Sequence, residues 1–533
     1  MRNSLAKENH FIQKIAILIF TLVFVLYGNS IRNDFSIDDS YVTVTTPEKP
    51  NNPRIEKGIR GIPRLFTSHY AESAYQSFEY RPLTLVTFAI EYQFFGSNPH
   101  INHFINVLIY AFTCVLLFTI LFRLLKNYHV VFPFLIILLF IVHPIHTEVV
   151  DNIKCRDELL AFFFGISSLH FFLRNVETKK WIFILFGILC LFMSFLCKQT
   201  AFLFIAFIPL TIYFFTPVNL KRTLVMVAII IGIYFTYVFL KDHLIHSSPV
   251  QRDFAFFENP LYFEPNFLER IPIAFYTLGY YIKLLILPYS LCCYYGYNTI
   301  PMAEWTSPLF IISFIFYLII VIYALVKFPQ KSILSYGILV YLIGIFPFSN
   351  IIKPAVGIIA ERFIYFASFG FCIAVAYLLL SFFKIDIISN SKFKLKNLKL
   401  PFKFIITTIL VTYSFLTISR NDKWKNILTL YRNDVQQNKN SFMLHYIIAK
   451  TISPQLNKMS AGYKKDILQR EVRTHFKQAA ELLRIGLEKY KTDYYTMTTL
   501  GALYCNSLND VDAAIPYLKK SLSINPDYYL TQI

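Results

Sequence analysis

The residues best suited to chemistry stand in one polar stretch, 29–102, between the first two apolar segments of the chain. It opens with adjacent carboxylates, Asp38 and Asp39, and continues to Tyr80 and Arg81. A carboxylate beside a bound hydroxyl can act as a general base, so the acid pair is a candidate for proton abstraction. Acids just past a helix end also form solvated turns or cap a helix. Residue spacing alone leaves both interpretations open.

A second polar cluster, 143–158, holds two histidines, several acids and further cations. Its candidate residues are His143, His146, Glu148, Arg156, Asp157 and Glu158. The histidines and Glu148 could bind a metal ion, but Pro144 interrupts the helical spacing that would align them. Structural roles are therefore preferred, and no metal site is predicted.

Two smaller groups lie at the ends of apolar segments. Lys198 stands between two such segments, where a lysine stem commonly lies along apolar surface while the ammonium reaches water. Glu361 and Arg362 precede an aromatic-rich segment, and charged residues there commonly anchor a helix at the membrane interface. Both groups are kept as candidates for binding.

The composition is that of a polytopic membrane protein. Of the 533 residues, 56% are hydrophobic and only 16% are charged, which is outside the usual range of soluble domains. A net charge of +19 could indicate nucleic acid, but Lys and Arg fall mostly in short turns between apolar runs and in the C-terminal tail. Because that distribution is typical of loops facing anionic headgroups, the expected partners are membrane lipids and not nucleic acid.

Twelve apolar segments are candidates for membrane spans. They are 11–27, 103–125, 131–142, 159–173, 181–196, 202–215, 224–240, 271–287, 309–326, 333–348, 363–383 and 404–418. The basic turns place the N-terminus in the cytoplasm and the acid pair, the 143–158 cluster and the C-terminal tail on the far side. This requires an odd number of crossings. Segment 271–287 carries Lys283 in its middle and is predicted to be re-entrant or interfacial, which leaves about eleven spans.

After residue 418 the sequence becomes charged, helical and rich in Ala, Leu and Tyr, which predicts a separate domain over 419–533. Residues 494–526 match the tetratricopeptide pattern of two closely packed helices, with one residue inserted in the turn 507–512. Residues 445–490 look like an earlier repeat. Because two repeats fall short of the roughly three that such an array needs, the pair is expected to dock on the membrane domain.

Together and in this order, the segments resemble the polytopic transmembrane and tetratricopeptide-repeat proteins of the GT-C superfamily, which include endoplasmic-reticulum O-mannosyltransferases and bacterial relatives. The matching stretches are Asp-Phe-Ser-Ile-Asp-Asp at 34–39, Tyr-Arg-Pro-Leu-Thr at 80–84, Phe-Gly-Ser-Asn-Pro-His-Ile-Asn-His-Phe-Ile-Asn at 95–106, His-Pro-Ile-His-Thr-Glu at 143–148, Arg-Asp-Glu-Leu-Leu at 156–160, Cys-Lys-Gln-Thr at 197–200, Ala-Glu-Arg-Phe-Ile-Tyr at 360–365 and Arg-Asn-Asp-Lys-Trp at 420–424. Several are short, and their order with the repeat tail makes the match specific. The resemblance covers residues 29–526.

The resemblance implies an all-α GT-C bundle of about eleven spans in residues 1–418. Its catalytic first external loop would be 29–102, and a small external repeat domain would occupy 419–533. It also implies transfer of a sugar, with inversion, from a polyprenyl-phosphate donor to a hydroxyl acceptor on the non-cytoplasmic face. In that scheme Asp38 or Asp39 takes the acceptor proton, because a hydroxyl is a very weak acid near neutral pH.

The lipid-phosphate leaving group needs positive charge, which guanidinium and ammonium groups supply. The resemblance therefore implies donor-phosphate binding by Arg81, Arg156, Lys198 and Arg362. Substrate-positioning roles are implied for Tyr80, His143, His146, Glu148, Asp157, Glu158 and Glu361. No cofactor is required, although a divalent metal is compatible with the family.

Two features depart from the family pattern. Gln199 follows Lys198 where the family usually has Glu, so a carboxylate role there is lost. The repeat tail is far shorter than in animal members. A glycan is therefore kept as an alternative acceptor to a protein bound through the repeats.

Other classes stay open. One is a transferase or polymerase acting on glycolipid or cell-envelope polysaccharide, and another is a non-catalytic membrane scaffold that carries repeats. A transporter is disfavoured because the sequence shows no internal repeat of two halves. The high Asn, Lys, Ile and Phe content favours a bacterial inner membrane with the C-terminal domain in the periplasm, and the endoplasmic-reticulum membrane is the alternative.

Overall fold

The computed structural model describes residues 2–39, 42–43, 53–72, 77–245, 254–264, 266–385 and 398–528. Within these ranges the chain is almost entirely helical, and its one strand pair is β1 (Ala71–Glu72) with β2 (Ser77–Phe78). The predicted all-α class is therefore confirmed. Ser40 and Tyr41, which follow the acid pair, lie outside the described residues, as does most of the lysine-rich stretch 384–403.

The helices follow one another with short connections. Up to residue 245 they are α1 (Arg2–Tyr27), α2 (Pro53–Glu56), α3 (Ile62–Leu65), α4 (Pro82–Phe95), α5 (Pro99–Leu124), α6 (Val131–Val142), α7 (Thr147–Asp151), α8 (Arg156–Thr178), α9 (Ile182–Cys197), α10 (Leu203–Phe215) and α11 (Leu220–Leu244). Between residues 254 and 385 they are α12 (Phe267–Ile286), α13 (Pro308–Lys327), α14 (Ile333–Ile345) and α15 (Tyr365–Phe382). From residue 398 they are α16 (Leu400–Lys423), α17 (Ile427–Gln437), α18 (Phe442–Asn457), α19 (Tyr463–Lys489), α20 (Tyr494–Ala502) and α21 (Val511–Ile524).

Most of the predicted spans are helices suited to a membrane. Among the described residues, seven helices are long and apolar enough to cross one, and the bent pair Val131–Val142 with Pro144–Asp151 makes up to eight. Three shorter apolar helices are Ile182–Cys197, Gln199–Phe215 and Ile333–Phe348. Together, the seven long helices, the bent pair and the three shorter helices lie at eleven of the twelve predicted segments. The chain is a multi-pass membrane protein, as predicted.

Helix α12 corresponds to the remaining predicted segment and is not among these membrane candidates. It is 20 residues long, but Glu269, Arg270 and Lys283 give it three charges. It buries one face, through residues that include Ile273 and Tyr281. An amphipathic helix of this kind suits the membrane surface, and the interfacial position stays a prediction.

The chain divides into two compact units, and their boundary does not follow the predicted one at residue 418. Unit 1 consists of Met1–Gln251, Leu318–Ile345 and Ile364–Asn426. Unit 2 consists of Arg252–Tyr317, Phe346–Phe363 and Ile427–Ile533. The repeat-containing tail therefore shares its unit with two earlier stretches of chain.

In unit 1, α14 and α15 lie in close backbone contact. A Cβ added at Gly370 would lie 2.3 Å from the backbone nitrogen of Tyr341, and one added at Gly344 would lie 2.7 Å from backbone atoms of Ala367. Because neither glycine has a Cβ, the two helices approach closely, as membrane helices commonly do at small residues.

The motif at 420–424 fixes the end of α1, also within unit 1. The side-chain amide of Asn421 donates to the Leu26 carbonyl at 2.8 Å. In return, the side-chain amide of Asn33 donates to the Asn421 carbonyl at 3.0 Å. These bonds hold the start of the polar stretch that carries the acid pair.

The C-terminal part of unit 2 contains two helical hairpins, α18 with α19 and α20 with α21, at the positions of the predicted repeats. After α20 the chain continues as a π-helical turn, Leu503–Ser507. A π-helical turn accommodates one extra residue without ending the helix. It lies immediately before the turn where the repeat pattern shows an inserted residue.

Candidate functional site

The two adjacent acids occupy different surroundings. Asp39 is fully buried, and its carboxylate oxygens accept the backbone N–H groups of Ser36 at 2.7 Å and Lys154 at 2.8 Å. Asp38 is half-buried, and its carboxylate makes no hydrogen bond or ion pair within the part of the chain that the structure describes. Asp39 therefore holds the loop, while Asp38 presents a carboxylate that the fold does not use.

The backbone before the acid pair is strained. Ile37 has a φ of +33°, a conformation that β-branched residues rarely adopt. The turn is held because the Asp39 N–H donates to the Ser36 carbonyl at 3.0 Å. Strained residues that the surroundings hold in place are concentrated at functional sites.

The charge of Asp39 depends on pH in the physiological range. Burial raises the pKa of Asp39 to about 7, although the N–H groups of Ser36 and Lys154 favour its carboxylate. The loop that presents Asp38 is thus supported by a group that titrates near neutral pH.

Four of the predicted residues meet in one buried ion-pair cluster near the start of α8. Arg81 pairs with Asp157, and it also pairs with Glu79. The Lys198 ammonium lies 3.2 Å from Asp157 Oδ1 and 2.7 Å from Glu158 Oε1. Arg81 precedes α4, the two acids open α8 and the lysine follows α9, so three distant stretches of unit 1 build this cluster.

Both cations of the cluster keep their charge. Burial alone would lower the pKa of Arg81 and of Lys198, but the neighbouring carboxylates outweigh burial and raise both. The two side chains therefore stay charged although the fold has removed them from water, with Glu79, Asp157 and Glu158 as their counter-ions.

One buried donor of the cluster has no acceptor among the described residues. The Nε of Arg81 is buried and has no acceptor among the described atoms. A lysine ammonium has three donors, and the pairs of Lys198 with the two carboxylates use two of them. The guanidinium also lies over the Tyr70 ring, with 4.8 Å to the centroid. Because an unsatisfied buried donor costs about 1–3 kcal/mol, an anionic oxygen bound at Arg81 would be favoured.

Lys154 joins the acid loop to the cluster. Its backbone N–H is the donor to Asp39, and its side chain interacts electrostatically with Asp157. Its carbonyl accepts the Tyr70 hydroxyl at 3.4 Å. Sequence reasoning did not select either Lys154 or Tyr70. The sequence feature that could have pointed to Lys154 is its position two residues before Arg156. No sequence feature pointed to Tyr70.

Arg156 makes a separate set of contacts. Its guanidinium pairs with Glu91 and donates to Asn106 Oδ1 at 2.8 Å and to the Asn102 carbonyl at 2.9 Å. It also lies over the Phe88 ring, with 4.1 Å to the centroid, and is fully buried. These contacts tie α4, α5 and α8 together and leave the guanidinium committed to the protein.

The histidines of the second polar cluster are built into the bundle. His146 is fully buried, and its ring nitrogens lie 2.8 Å from the hydroxyls of Tyr110 and Ser368. His143 accepts the backbone N–H two residues later at 3.3 Å. Glu148 is buried in α7. The described residues contain no group of three or more His, Cys, Asp or Glu that could hold a metal ion.

The remaining predicted residues are Tyr80, Glu361 and Arg362. Tyr80 is buried in unit 1, and its hydroxyl donates to a backbone carbonyl at 3.0 Å. The other two belong to unit 2. There Glu361 accepts the Cys292 N–H at 2.6 Å and the Tyr295 hydroxyl at 2.8 Å.

Comparison with known proteins supports the resemblance. Residues 246–321 match the family model described as protein O-mannosyl-transferase TMTC, DUF1736. Human protein O-mannosyl-transferase TMTC3 is 25% identical over 475 residues, which cover 83% of this chain and 49% of the relative. Protein O-mannosyl-transferase F38B6.6 of Caenorhabditis elegans is 26% identical over 452 residues, which cover 82% of this chain and 59% of the relative.

Human protein O-mannosyl-transferase TMTC1 is 24% identical over 498 residues, which cover 82% of this chain and 53% of the relative. The chain thus spans about half the length of the curated relatives it matches. The similarity covers most of the chain.

Proposed function

From the premise that this chain is a TMTC-like relative of the protein O-mannosyl-transferases, we propose that it glycosylates protein hydroxyls on the non-cytoplasmic face of a membrane. The donor is a sugar on polyprenyl phosphate, and mannose is the sugar that the names of the relatives suggest. The transfer inverts the anomeric centre, as expected of a GT-C enzyme. The membrane is a bacterial inner membrane or that of the endoplasmic reticulum.

The observation that carries this proposal is the hydrogen bond from the Lys154 N–H to Asp39, 2.8 Å long. It fixes the acid loop to the residues that lead into α8. The two acids that open this helix, Asp157 and Glu158, pair with the buried cations of the cluster. A carboxylate that can accept a proton and a site that can hold an anion are therefore built into one part of unit 1. Inverting transfer from a lipid phosphate needs both.

Asp38 serves as the general base in this proposal. Its carboxylate is half-buried and makes no hydrogen bond or ion pair with the described residues, so it can accept the acceptor proton as the new glycosidic bond forms. Asp39 positions it, because both Asp39 oxygens are committed to backbone N–H groups. This division of labour separates two acids that the sequence could not distinguish.

Arg81 and Lys198 stabilise the departing lipid phosphate. Both are charged and buried, and Arg81 Nε has no acceptor among the described atoms, so they can bind phosphate oxygens without first losing water. Asp157 and Glu158 hold these cations in place. We leave Arg156 out of the phosphate site because its guanidinium is engaged by Glu91 and two asparagines.

The decisive experiment compares purified wild type with Asp38→Asn, using a panel of radiolabelled polyprenyl-phosphate sugars and peptide or membrane-protein acceptors. Transfer should fall at least about 100-fold, a typical contribution of a general base. Asp34→Asn is the matched control, since Asp34 is exposed in the same loop, its side chain accepts the Phe35 N–H, and an asparagine oxygen can accept the same bond. Full transfer by a folded Asp38→Asn protein would contradict the assignment and leave the scaffold alternative.

A second experiment tests which groups supply the positive charge that stabilises the leaving phosphate. If Arg81 and Lys198 supply it, transfer should persist after dialysis against EDTA. Loss of transfer that added Mg²⁺ or Mn²⁺ restores would show instead that a divalent ion shares this role.

A further inference from the structure

In unit 2 a short segment before α12 is inserted between the helices of the repeats. Phe256 is fully buried, as is Ala255 before it. Its ring stacks on Tyr490, with 5.0 Å between centroids and 15° between planes, and meets Tyr297 edge-on at 5.1 Å. Phe257 is also buried, and its ring lies 4.6 Å from that of Phe442 in α18. Two consecutive aromatic residues are thus enclosed by the repeat helices.

A glycine in α19 makes room for the first ring. A Cβ added at Gly486 would lie 2.1 Å from the Phe256 ring, so any other residue there would displace it. Glycine inside a helix costs about 1 kcal/mol relative to alanine. The close approach of Phe256 gives a physical reason for a glycine at this position.

The same segment is recognised through its backbone. The Phe256 N–H donates to Asp493 Oδ2 at 2.8 Å. Asp493 is buried at the N-terminus of α20, where it also accepts the Thr496 N–H at 2.8 Å. The carbonyl of Phe257 accepts the Tyr297 N–H at 3.1 Å. One hydrogen bond from its backbone to a buried side-chain acceptor, together with the two aromatic contacts, therefore holds this turn against the repeat helices.

We infer that residues 254–258 act as an internal peptide ligand of the repeat unit and complete an array that is otherwise too short. Two hairpins leave apolar helix faces that a third repeat would normally cover. In this chain Phe256 and Phe257 cover the junction between α18, α19 and α20. The matched family segment 246–321 contains these residues, so part of that segment serves to hold the repeats.

Two consequences follow for unit 2. The cleft between α19 and α20 is filled by the chain itself, so a protein acceptor binds the repeats at another surface. The segment is also joined to a predicted substrate-positioning residue, because it bonds to Tyr297 and the nearby Cys292 N–H donates to Glu361. The inference concerns the fold of unit 2 and does not depend on the proposed transfer.

Hydrogen–deuterium exchange on the full-length protein in detergent tests this inference with two substitutions. Gly486→Ala should speed exchange in α19 and α20 roughly tenfold or more, because the new methyl displaces the Phe256 ring. Phe256→Ala should have an effect of the same size. Ile485→Ala is the matched control, since Ile485 is the exposed neighbour on the same helix, and it should leave exchange unchanged.

The double variant makes the test specific. With the Phe256 ring removed, adding Gly486→Ala should change exchange less than about threefold, or slow it. The new methyl then meets no ring, and its one remaining effect is the higher helix propensity of alanine. If Gly486→Ala alone slows exchange or leaves it unchanged, Phe256 does not occupy the cleft and the inference is wrong. If the two substitutions act additively, their effects are independent and the inference is equally wrong.

Discussion

Asp38 and Asp39 are adjacent in sequence, yet the fold gives them opposite tasks. The Asp39 carboxylate accepts two backbone N–H groups, whereas the Asp38 carboxylate makes no hydrogen bond or ion pair with the described residues. Asp39→Asn would replace one acceptor oxygen by an NH₂ group that faces an N–H donor. It should therefore loosen the loop, whereas Asp38→Asn should remove transfer and leave the loop in place.

Asp39 should also make stability depend on pH. Its folded-state pKa is raised from the ordinary 3.8 to about 7. Its contribution to stability is therefore complete below about pH 4 and is lost as the pH rises through about 7. The slope is at most about 1.4 kcal/mol per pH unit.

Thermal unfolding in detergent between pH 4 and 8 measures this effect. The Tm of wild type and of Asp38→Asn should fall with pH more steeply than that of Asp39→Asn. Parallel curves for all three proteins would show that Asp39 is not the titrating group.

Arg81 and Arg156 offer a second contrast at this scale. Arg156→Gln leaves Glu91 buried without its cation, which should destabilise the protein by about 3–5 kcal/mol and lower its yield. Arg81→Gln leaves buried Asp157 paired with Lys198, so its larger effect should be on donor binding. Tm and binding of a labelled polyprenyl phosphate separate the two outcomes, and a donor-binding defect confined to a stable Arg156→Gln protein would reverse our assignment.

Residue types and their order were enough to select Arg81, Asp157, Glu158 and Lys198, which the structure brings together. They could not assign tasks to similar residues. Whether Asp38 or Asp39 is free, and whether Arg156 is engaged, depends on burial and on partners such as Glu91 and the Lys154 N–H. Those partners come from distant stretches, so no local pattern shows them.

At the scale of elements, hydropathy predicted the position of nearly every apolar helix, because about 20 apolar residues have few alternatives to a membrane. The charges of α12 correctly set it apart from the membrane candidates. Helix ends and the π-helical turn at Leu503–Ser507 were not predictable, since both depend on packing between helices. The grouping of 252–317 with the tail rests on tertiary contacts alone.

The contact between α14 and α15 gives a prediction of its own. Gly370→Ala should destabilise the protein by about 1–3 kcal/mol, because its methyl would meet the Tyr341 backbone. Gly232→Ala in α11 is the control, since nothing lies within 4 Å of a Cβ there. Both changes raise helix propensity, so a lower Tm for the first alone identifies close packing as the cause.

For the whole molecule, the basic turns predict a cytoplasmic N-terminus and a repeat domain on the opposite face. Cysteines introduced at Lys180 and Tyr463 test this with an impermeant thiol reagent, since both side chains are exposed and Tyr463 is 82% exposed. In sealed vesicles of known orientation they should be labelled from opposite sides. Labelling of both from one side would overturn the predicted topology and the sidedness of transfer.

The bond between Lys154 and Asp39 joins residues 115 positions apart in the chain. Every helix from α2 to α7 lies within that span and must be in place before the bond can close. Such distant contacts form late, since the chain between them must first be ordered. The candidate site is therefore assembled only after the chain between these two residues has folded, and enzymatic turnover would be a stricter measure of correct membrane insertion than helix content.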